Sequence, residues 1–247
     1  MNFKRITILI LSMIFIAFAD FPQGDVLIKK MDEVMTSNTQ KMTSKMIINT
    51  NRNSRTIITR SYTQGQDSTF TEYLAPPREE GIKMLKLGDH LWTYDPDADR
   101  TISISGHMLR QSVNGSDLSY EDMMSDEKVN EDYTATVIAQ EVIFERECWV
   151  LELNAITSNI AYPKRKLWID KERYLPLRAE YFAKSGKLLK RMEIRDLMFI
   201  DGRWYPKEMH YKDVLNKKSL GTSIIIEKIE FDIIIPNYMF TKAALKR

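Results

Sequence analysis

The sequence predicts a mainly β protein built as one long antiparallel meander. Stretches rich in Thr and Ile, about 6–12 residues long, follow one another between short turns that contain Gly, Asn and Asp. Several stretches, such as residues 175–181, alternate apolar and polar residues, which is typical of strands with one face on a core and the other in water. No strand–helix–strand rhythm appears, and this disfavours a parallel α/β architecture.

One amphipathic helix is predicted ahead of the sheet, at residues 25–35, because its apolar residues recur at helical spacing between lysines and acids. The strands are predicted at residues 43–50, 54–63, 68–75, 82–87, 90–94, 100–105, 133–144, 148–156, 164–169, 175–183, 188–200, 203–211 and 221–235.

Residues 106–132 interrupt the meander. The segment is long for a connection between neighbouring strands, and long loops in compact domains usually carry function. Within it, Ser119 stands three residues before Asp122, a spacing that favours capping of a short helix.

The first 19 residues have the pattern of a secretory signal peptide. Lys4 and Arg5 precede an apolar run at residues 6–18, and Ala17-Phe18-Ala19 supplies the small residues that a signal peptidase requires. The run is too short to span a bilayer comfortably. We therefore expect residues 1–19 to be removed, and residues 20–247 to form a single domain in the periplasm.

Composition limits the classes of partner and chemistry. The formal net charge is +2, and loss of Lys4 and Arg5 brings it to about zero, so no basic surface predicts nucleic-acid binding. Cys148 is the only cysteine. It excludes an internal disulfide, and its place in an apolar strand predicts a buried, inert thiol.

Catalytic motifs are weak in this chain. The three histidines, His90, His107 and His210, belong to no metal-binding spacing, so neither a metal nor a cofactor is expected. Glu121 and Asp122 are adjacent acids beside Tyr120. Adjacent residues on a helix point in different directions, and capping is therefore a simpler role for these acids than acid–base catalysis. We expect the protein not to be an enzyme.

Methionine is abundant. Of the 14 methionines, only Met1 and Met13 fall within the predicted signal peptide. Methionine is flexible and polarizable, and it is common on surfaces that accept varied apolar ligands. The alternative interpretation is an ordinary core that uses methionine as a filler.

Six short motifs occur in a fixed order along the chain. They are Tyr73-Leu74-Ala75-Pro76-Pro77, Leu91-Trp92-Thr93-Tyr94-Asp95-Pro96 with Arg100-Thr101-Ile102, Gly115-Ser116-Asp117-Leu118-Ser119-Tyr120-Glu121-Asp122, Lys166-Leu167-Trp168-Ile169-Asp170, Tyr174-Leu175-Pro176-Leu177, and Gly202-Arg203-Trp204-Tyr205-Pro206. In this order and spacing, over nearly the whole of residues 20–247, the chain resembles the LolA/LolB superfamily of outer membrane lipoprotein-sorting proteins. The resemblance is closest to its large LolA-like subfamily.

The resemblance implies an unclosed β-barrel, in which a strongly curved antiparallel sheet is covered on its concave face by helices. It also implies an apolar cavity for acyl chains, with no catalytic step. In the sorting proteins an arginine on an early strand helps to hold the lid closed, and Arg52, Arg55 and Arg60 all lie in the matching region.

Three groups of residues are the candidate site. The cavity is expected to be lined by Met46, Ile48, Ile58, Phe70, Leu85, Trp92, Tyr94, Leu151, Leu153, Leu177, Tyr181 and Ile226. The lid is expected to use Val26, Met31, Met35, Met108 and Leu109. The signature loop contains Gly115, Ser116, Asp117, Tyr120, Glu121 and Asp122.

The leading hypothesis is a periplasmic carrier that sequesters the acyl chains of a lipoprotein or lipid for transfer to the outer membrane. Its partners would be that cargo and membrane-associated donor or acceptor proteins. The alternative is an envelope-stress sensor or assembly module that binds a protein partner. A lipid hydrolase that uses the acids of the signature loop is a weaker alternative.

Overall fold

The computed structural model describes residues 21–125, 129–158 and 160–247. The predicted signal peptide lies outside the described residues. The strands are β1 (Thr39–Thr50), β2 (Ser54–Gln64), β3 (Ser68–Ala75), β4 (Lys83–Leu87), β5 (His90–Asp95), β6 (Arg100–Ile104), β7 (Tyr133–Ile143), β8 (Arg146–Ala155), β9 (Lys164–Asp170), β10 (Pro176–Phe182), β11 (Leu188–Ile200), β12 (Arg203–Asp213) and β13 (Ser219–Phe231).

Within these described residues, three α-helices and four short 3-10 helices accompany the strands. The α-helices are α1 (Gly24–Met35), α2 (Asp122–Ser125) and α3 (Val129–Asp132). The 3-10 helices are Gly106–Arg110, Val113–Gly115, Asn237–Phe240 and Lys242–Lys246. No helix among the described residues is long and apolar enough to cross a membrane.

All thirteen strands form one antiparallel sheet in the order β6-β5-β4-β3-β2-β1-β13-β12-β11-β10-β9-β8-β7. Strands β1–β6 and β7–β13 are two meanders, and they are joined side by side where β1 pairs with β13, for example at Met46 and Ile224. Strands β6 and β7 are the two edges, so the sheet is not closed. The predicted mainly β, unclosed antiparallel architecture is confirmed.

Element bounds differ from prediction mainly at β1 and at the end of β13, which lies at Phe231 instead of residue 235. Strand β1 begins at Thr39, four residues before the predicted start, because pairing on both sides extends it. Gln40, for instance, lies opposite Thr63 on β2 and Phe231 on β13. The predicted helix is α1, which begins one residue earlier, at Gly24.

A row of cross-strand neighbours defines what we call the inner face of the sheet. Residues directly opposite each other in an antiparallel pair lie on the same face. The row runs through Leu151, Leu167, Ala179, Met192, Tyr211, Thr222 and Ile48. Helix α1 packs on this face, where its Leu27, Ile28 and Met31 join Leu151 and Leu167 in one buried cluster.

The connection between β6 and β7 also lies on the inner face. We call residues 106–125 and 129–132 the crossing segment, because they lead from one edge strand to the other and contact central strands on the way. Leu118 and Val129 belong to the cluster under α1, whereas Met108 and Leu109 pack on a second cluster around Ile48.

Candidate functional site

An apolar cavity of about 200 Å³ lies between α1 and the inner face of β9–β12. Helix α1 and α3 form its roof, and the strands form its floor. The lining residues are Met31, Asp32, Met35, Val129, Arg165, Leu167, Pro176, Ala179, Tyr181, Met192, Ile194, Met209 and Tyr211. Four of them are methionines, and such side chains adapt readily to ligands of different shape.

Helix α1 is held over the cavity by apolar packing and by polar contacts at both ends. Leu27, Ile28 and Met31 are almost fully buried. At the start of the helix, Asp25 Oδ1 accepts a hydrogen bond of 2.7 Å from the backbone N–H of Ala135 on β7. Near its end, Asp32 Oδ2 accepts one of 2.9 Å from the N–H of Asn130.

Arg165 on β9 brings a permanent positive charge into the cavity wall. Its side chain is 2% exposed. Three tyrosine rings surround its guanidinium carbon, with ring centroids at 4.6 Å for Tyr133, 5.1 Å for Tyr181 and 5.8 Å for Tyr162. These cation–π contacts hold the guanidinium beside the apolar lining.

Asp32 brings a carboxyl group to the same cavity from the roof. It is 8% exposed, and burial raises its pKa to about 6. The Asn130 hydrogen bond and the positive charge of Arg165 act in the opposite direction, whereas Glu131 raises the pKa further. Asp32 and Arg165 are thus an acidic and a basic group in one largely apolar space.

Asp117 in the signature loop ties the crossing segment to the sheet. Its Oδ2 accepts hydrogen bonds from Ser219 Oγ at 2.7 Å and Thr222 Oγ1 at 2.8 Å, and its Oδ1 accepts one from the N–H of Asp213 at 2.9 Å. The carboxylate is 4% exposed. It therefore clamps the loop onto β12 and β13.

Asp122 makes a second attachment. Its Oδ2 accepts hydrogen bonds from the N–H and hydroxyl of Ser119, at 2.5 and 2.8 Å, and Ser119 Oγ accepts one from the N–H of Asp122 at 3.2 Å. This reciprocal arrangement caps α2, in agreement with the spacing in the sequence. Lys190 of β11 pairs with the same Oδ2, and Tyr162 donates to Oδ1 at 2.6 Å. Both oxygens of Asp122 are therefore engaged in holding the segment on the sheet.

Arg55 is the early-strand arginine that contacts the crossing segment. Its guanidinium donates a hydrogen bond to the Asn114 carbonyl, and its Nη1 lies 3.5 Å from Glu79 Oε1. Arg52 lies in the turn after β1. Arg60 lies on the outer face, because its parity along β2 is opposite to that of Arg55.

All six predicted cavity residues on β1, β8 and β10 lie on the inner face. Leu151, Leu153, Leu177 and Tyr181 belong to the cluster under α1, and Met46 and Ile48 belong to the neighbouring one. Ile226 packs in a further cluster with Tyr205 and Ile229. Tyr181 is the one predicted cavity residue that lines the cavity itself.

The remaining predicted cavity residues lie on the outer face: Ile58, Phe70, Leu85, Trp92 and Tyr94. Phe70, Leu85, Trp92 and Tyr94 pack against the C-terminal residues Ala244 and Leu245, a contact that the sequence pattern does not reveal. These residues are apolar because they form a separate core on the outer face with the C-terminal residues. The residues that face inward on strands β3, β4 and β5 are Tyr73, Met84 and Leu91. When a strand has apolar residues on both faces, the alternation of apolar and polar residues is lost, and the sequence no longer shows which face is the inner one.

The predicted lid residues are also divided. Met31 and Met35 line the cavity, and Met108 and Leu109 cover the second cluster. Val26 is 46% exposed, so it lies on the solvent side of α1.

Sequence reasoning missed Arg165 and Asp32, and also the lining residues Met192, Ile194, Met209 and Tyr211. A signal was present for Arg165, since it alternates with Leu167 and Ile169 on β9, and period two places a charge on an apolar face there. A similar signal was present for Asp32, because helical spacing places it on the same face of α1 as Ile28, Met31 and Met35.

In the part of the chain that the structure describes, neither a metal site nor a reactive cysteine is formed. Within those residues, no three His, Cys, Asp or Glu side chains are grouped as metal ligands. Cys148 is buried, and burial raises the pKa of its thiol to about 11, as expected of an inert cysteine.

Comparison with known proteins places the chain as follows. A family model described as "Uncharacterized protein" matches residues 65–247, and no curated protein matches. A DUF1329 family protein from Desulfovibrio piger has the same fold, with a TM-score of 0.84 and 24% identity over 90% of this chain and 97% of the other. A putative outer membrane lipoprotein-sorting protein domain from Vibrio parahaemolyticus is similar with a TM-score of 0.80 and 24% identity, over 91% of this chain and 98% of the other. A LolA superfamily protein from Nitrosomonas europaea is similar with a TM-score of 0.76 and 21% identity, over 91% of this chain and 100% of the other.

Proposed function

This chain belongs to the family described as uncharacterised and has the fold of LolA superfamily proteins, and on that premise we propose that it is a non-enzymatic carrier of acyl chains. The observation that carries the proposal is the methionine-rich cavity beneath α1. The cargo would be a lipoprotein or a lipid on its way to the outer membrane, as the name of the similar Vibrio parahaemolyticus domain suggests.

Energetics favour acyl chains as ligands of this cavity. Each methylene that leaves water gains about 0.8 kcal/mol, so ten methylenes gain on the order of 8 kcal/mol before the costs of association. The flexible lining of Met31, Met35, Met192 and Met209 can follow chains of different length and branching.

Helix α1 is the lid in this proposal. The cavity of about 200 Å³ is smaller than the roughly 300–1,000 Å³ of typical ligand sites. A full acyl chain therefore requires α1 to move away from the floor. Residues 36–38 connect α1 to β1 without regular structure, and they supply a hinge.

The location in this proposal is the periplasm. Its support is the signal-peptide pattern of residues 1–19, together with the words "outer membrane lipoprotein-sorting" in the name of the similar domain from Vibrio parahaemolyticus. Residues 20–247 would be one lipid-binding domain.

The experiment is native mass spectrometry of the protein purified from its own periplasm without detergent. We expect a mass excess that organic solvent releases and that is identified as an acyl lipid or lipopeptide. A bare polypeptide mass, with no uptake of added lipopeptide or lipid, would contradict the carrier function.

A matched pair of variants localises the cargo. Ala179 lines the cavity, so Ala179→Phe fills it without adding charge. Ala98 lies in an exposed turn between β5 and β6, and Ala98→Phe adds the same ring outside the cavity. We expect the first variant alone to lose the bound mass. Equal lipid content in both variants would place the cargo elsewhere.

A second candidate function, a module that binds a protein partner, has one observation in its favour. Strand β7 is an edge of the sheet, and its Ile138 and Val142 are large apolar residues that are 44% and 66% exposed. Exposed edges of this kind accept an added strand from a partner. This function predicts a stoichiometric protein partner and no bound lipid.

A further inference from the structure

We propose that Arg165 binds the anionic head group of the cargo, and that Asp32 on the lid occupies this role while the cavity is closed. This inference rests on the proposed carrier function and names the class of its ligand: an acyl chain that ends in a carboxylate or a phosphate.

Arg165 is placed as a binding group within the cavity wall. It lies on the floor strand β9 beside Leu167, and its side chain is 2% exposed. Arginine keeps its charge at any physiological pH, and a buried charge is costly unless an opposite charge compensates it. A cavity that only needed to hold hydrocarbon would be more stable with an apolar residue at this position.

The tyrosines position the guanidinium for a head group. Tyr133, Tyr162 and Tyr181 lie around it at 4.6–5.8 Å, and Tyr181 also lines the cavity. Tyr133 is itself fixed, because its hydroxyl donates a 2.9 Å hydrogen bond to the Tyr162 carbonyl. Such contacts restrict the rotation of a long side chain, so less entropy is lost when a ligand binds.

Asp32 supplies negative charge from the roof in the closed state. It faces the same cavity from α1, and the positive charge of Arg165 favours its ionised form. When α1 moves, Asp32 moves with it and the positive charge on the floor stays. A head group with its own negative charge then takes the place of Asp32 beside the guanidinium, whereas a neutral lipid brings no charge to that position.

The ligand class follows from arginine chemistry. A guanidinium forms paired, charge-assisted hydrogen bonds with carboxylates and with phosphates. A fatty acid and a phosphorylated lipid share this chemistry, and both carry the apolar tail that the methionine-lined space accommodates. Separate probes are needed to distinguish them.

The test is displacement of the neutral fluorescent probe N-phenyl-1-naphthylamine from the delipidated protein. The competitors are dodecanoate, dodecyl phosphate and methyl dodecanoate, which share a chain and differ in head group. We expect dodecanoate, dodecyl phosphate or both to bind at least about tenfold more tightly than the ester, which corresponds to about 1.4 kcal/mol. The stronger of the two anions identifies the head group.

Variants assign the preference to Arg165. Arg165→Gln should reduce the preference for the anion to near unity while ester binding persists. Arg178→Gln is the matched control, because Arg178 lies on the opposite face of the adjacent strand, where it pairs with Glu193. Asp32→Asn should tighten binding of the anion and leave that of the ester unchanged.

The outcomes separate the inference from the function on which it rests. If the wild-type protein binds the ester as tightly as both anions, the head-group role of Arg165 is overturned and the carrier function stands. If no competitor and no probe binds, the carrier function itself fails. Should Arg165→Gln not fold, the comparison of head groups in the wild-type protein still decides.

Discussion

Two buried carboxylates hold the crossing segment on the sheet. Asp117 joins the signature loop to β12 and β13, and Asp122 joins the start of α2 to Lys190 of β11. Asp117 accepts its hydrogen bonds from residues of the sheet, whereas Asp122 accepts them from Ser119 of the segment and pairs with Lys190 of the sheet. Asp117 and Asp122 therefore attach the signature loop to the sheet.

Replacement of Asp117 should cost much of the stability of the protein. Asp117→Ala leaves the hydroxyls of Ser219 and Thr222 and the N–H of Asp213 without their acceptor in a buried place. We expect a loss of about 2–4 kcal/mol in the free energy of unfolding, measured in urea. Asp89 lies in an exposed turn, and Asp89→Ala should change it by less than about 0.5 kcal/mol. Equal effects would refute the attachment role.

Asp32 should make the stability depend on pH. Its pKa in the folded protein is raised to about 6 from 3.8, so the folded state binds the proton more tightly than the unfolded chain. The resulting stability is complete below the unfolded pKa and is lost as the pH rises through about 6. Asp32→Asn should therefore raise the Tm above pH 7 and give little advantage below the unfolded pKa of 3.8. The exposed Glu33→Gln on the same helix is the control, and an identical pH dependence of Tm in the two variants would exclude Asp32 as its source.

At the scale of elements, α1 is both part of the core and the proposed lid. Its buried stripe contributes to the main cluster, yet in the carrier function it has to leave that cluster when cargo enters. The close approach of its first turn to β7 helps to hold α1 on the sheet. A Cβ atom on Gly24 would lie 2.2 Å from the Ala135 carbonyl oxygen, so only glycine lets the helix start there.

Substitution of Gly24 should loosen α1 selectively. Gly24→Ala forces the first turn away from β7 and weakens the hydrogen bond from the Ala135 N–H to Asp25. We expect a loss of about 1–3 kcal/mol in stability and faster hydrogen exchange at the Ala135 amide. Val26→Ala alters an exposed position of the same helix and should leave that exchange rate unchanged. Slow exchange at Ala135 in both variants would count against the lid being held there.

The sequence was sufficient to predict these elements but not all of their faces. Composition and turn residues located the strands, since strand and turn preferences are local. On β10 alternation also identified the inner face. On β4 it did not, because Met84 and Leu85 are both buried, on opposite faces. The contacts of Asp117 with β12 and β13, and of Arg165 with three tyrosines, join residues far apart in the chain, and no local pattern encodes them.

For the whole molecule, the seam between β1 and β13 makes one sheet from two meanders. The predicted single domain requires that the two halves unfold together. Trp92 reports on the first half, whereas Trp149, Trp168 and Trp204 report on the second. Tryptophan fluorescence can therefore observe each half separately.

A single domain should unfold in one cooperative transition. We expect Trp92→Phe, and the variant in which Trp92 is the only tryptophan, each to show the same urea midpoint by fluorescence and by far-ultraviolet circular dichroism. Because both signals are measured on the same variant, a change in stability caused by the substitutions shifts the two midpoints equally. Fluorescence and circular dichroism midpoints that differ within a variant would indicate two domains.

The order of the strands also has a consequence for folding kinetics. Pairing of β1 with β13 joins segments separated by most of the chain, for example Met46 and Ile224, and such non-local closure is slow because loop entropy opposes it. During synthesis the roof helix α1 appears first, and the floor strands β9–β12 appear well over a hundred residues later. The apolar side of α1 is therefore exposed without its partner through most of the chain's synthesis, and within residues 20–247 a holding chaperone would find its first binding site there.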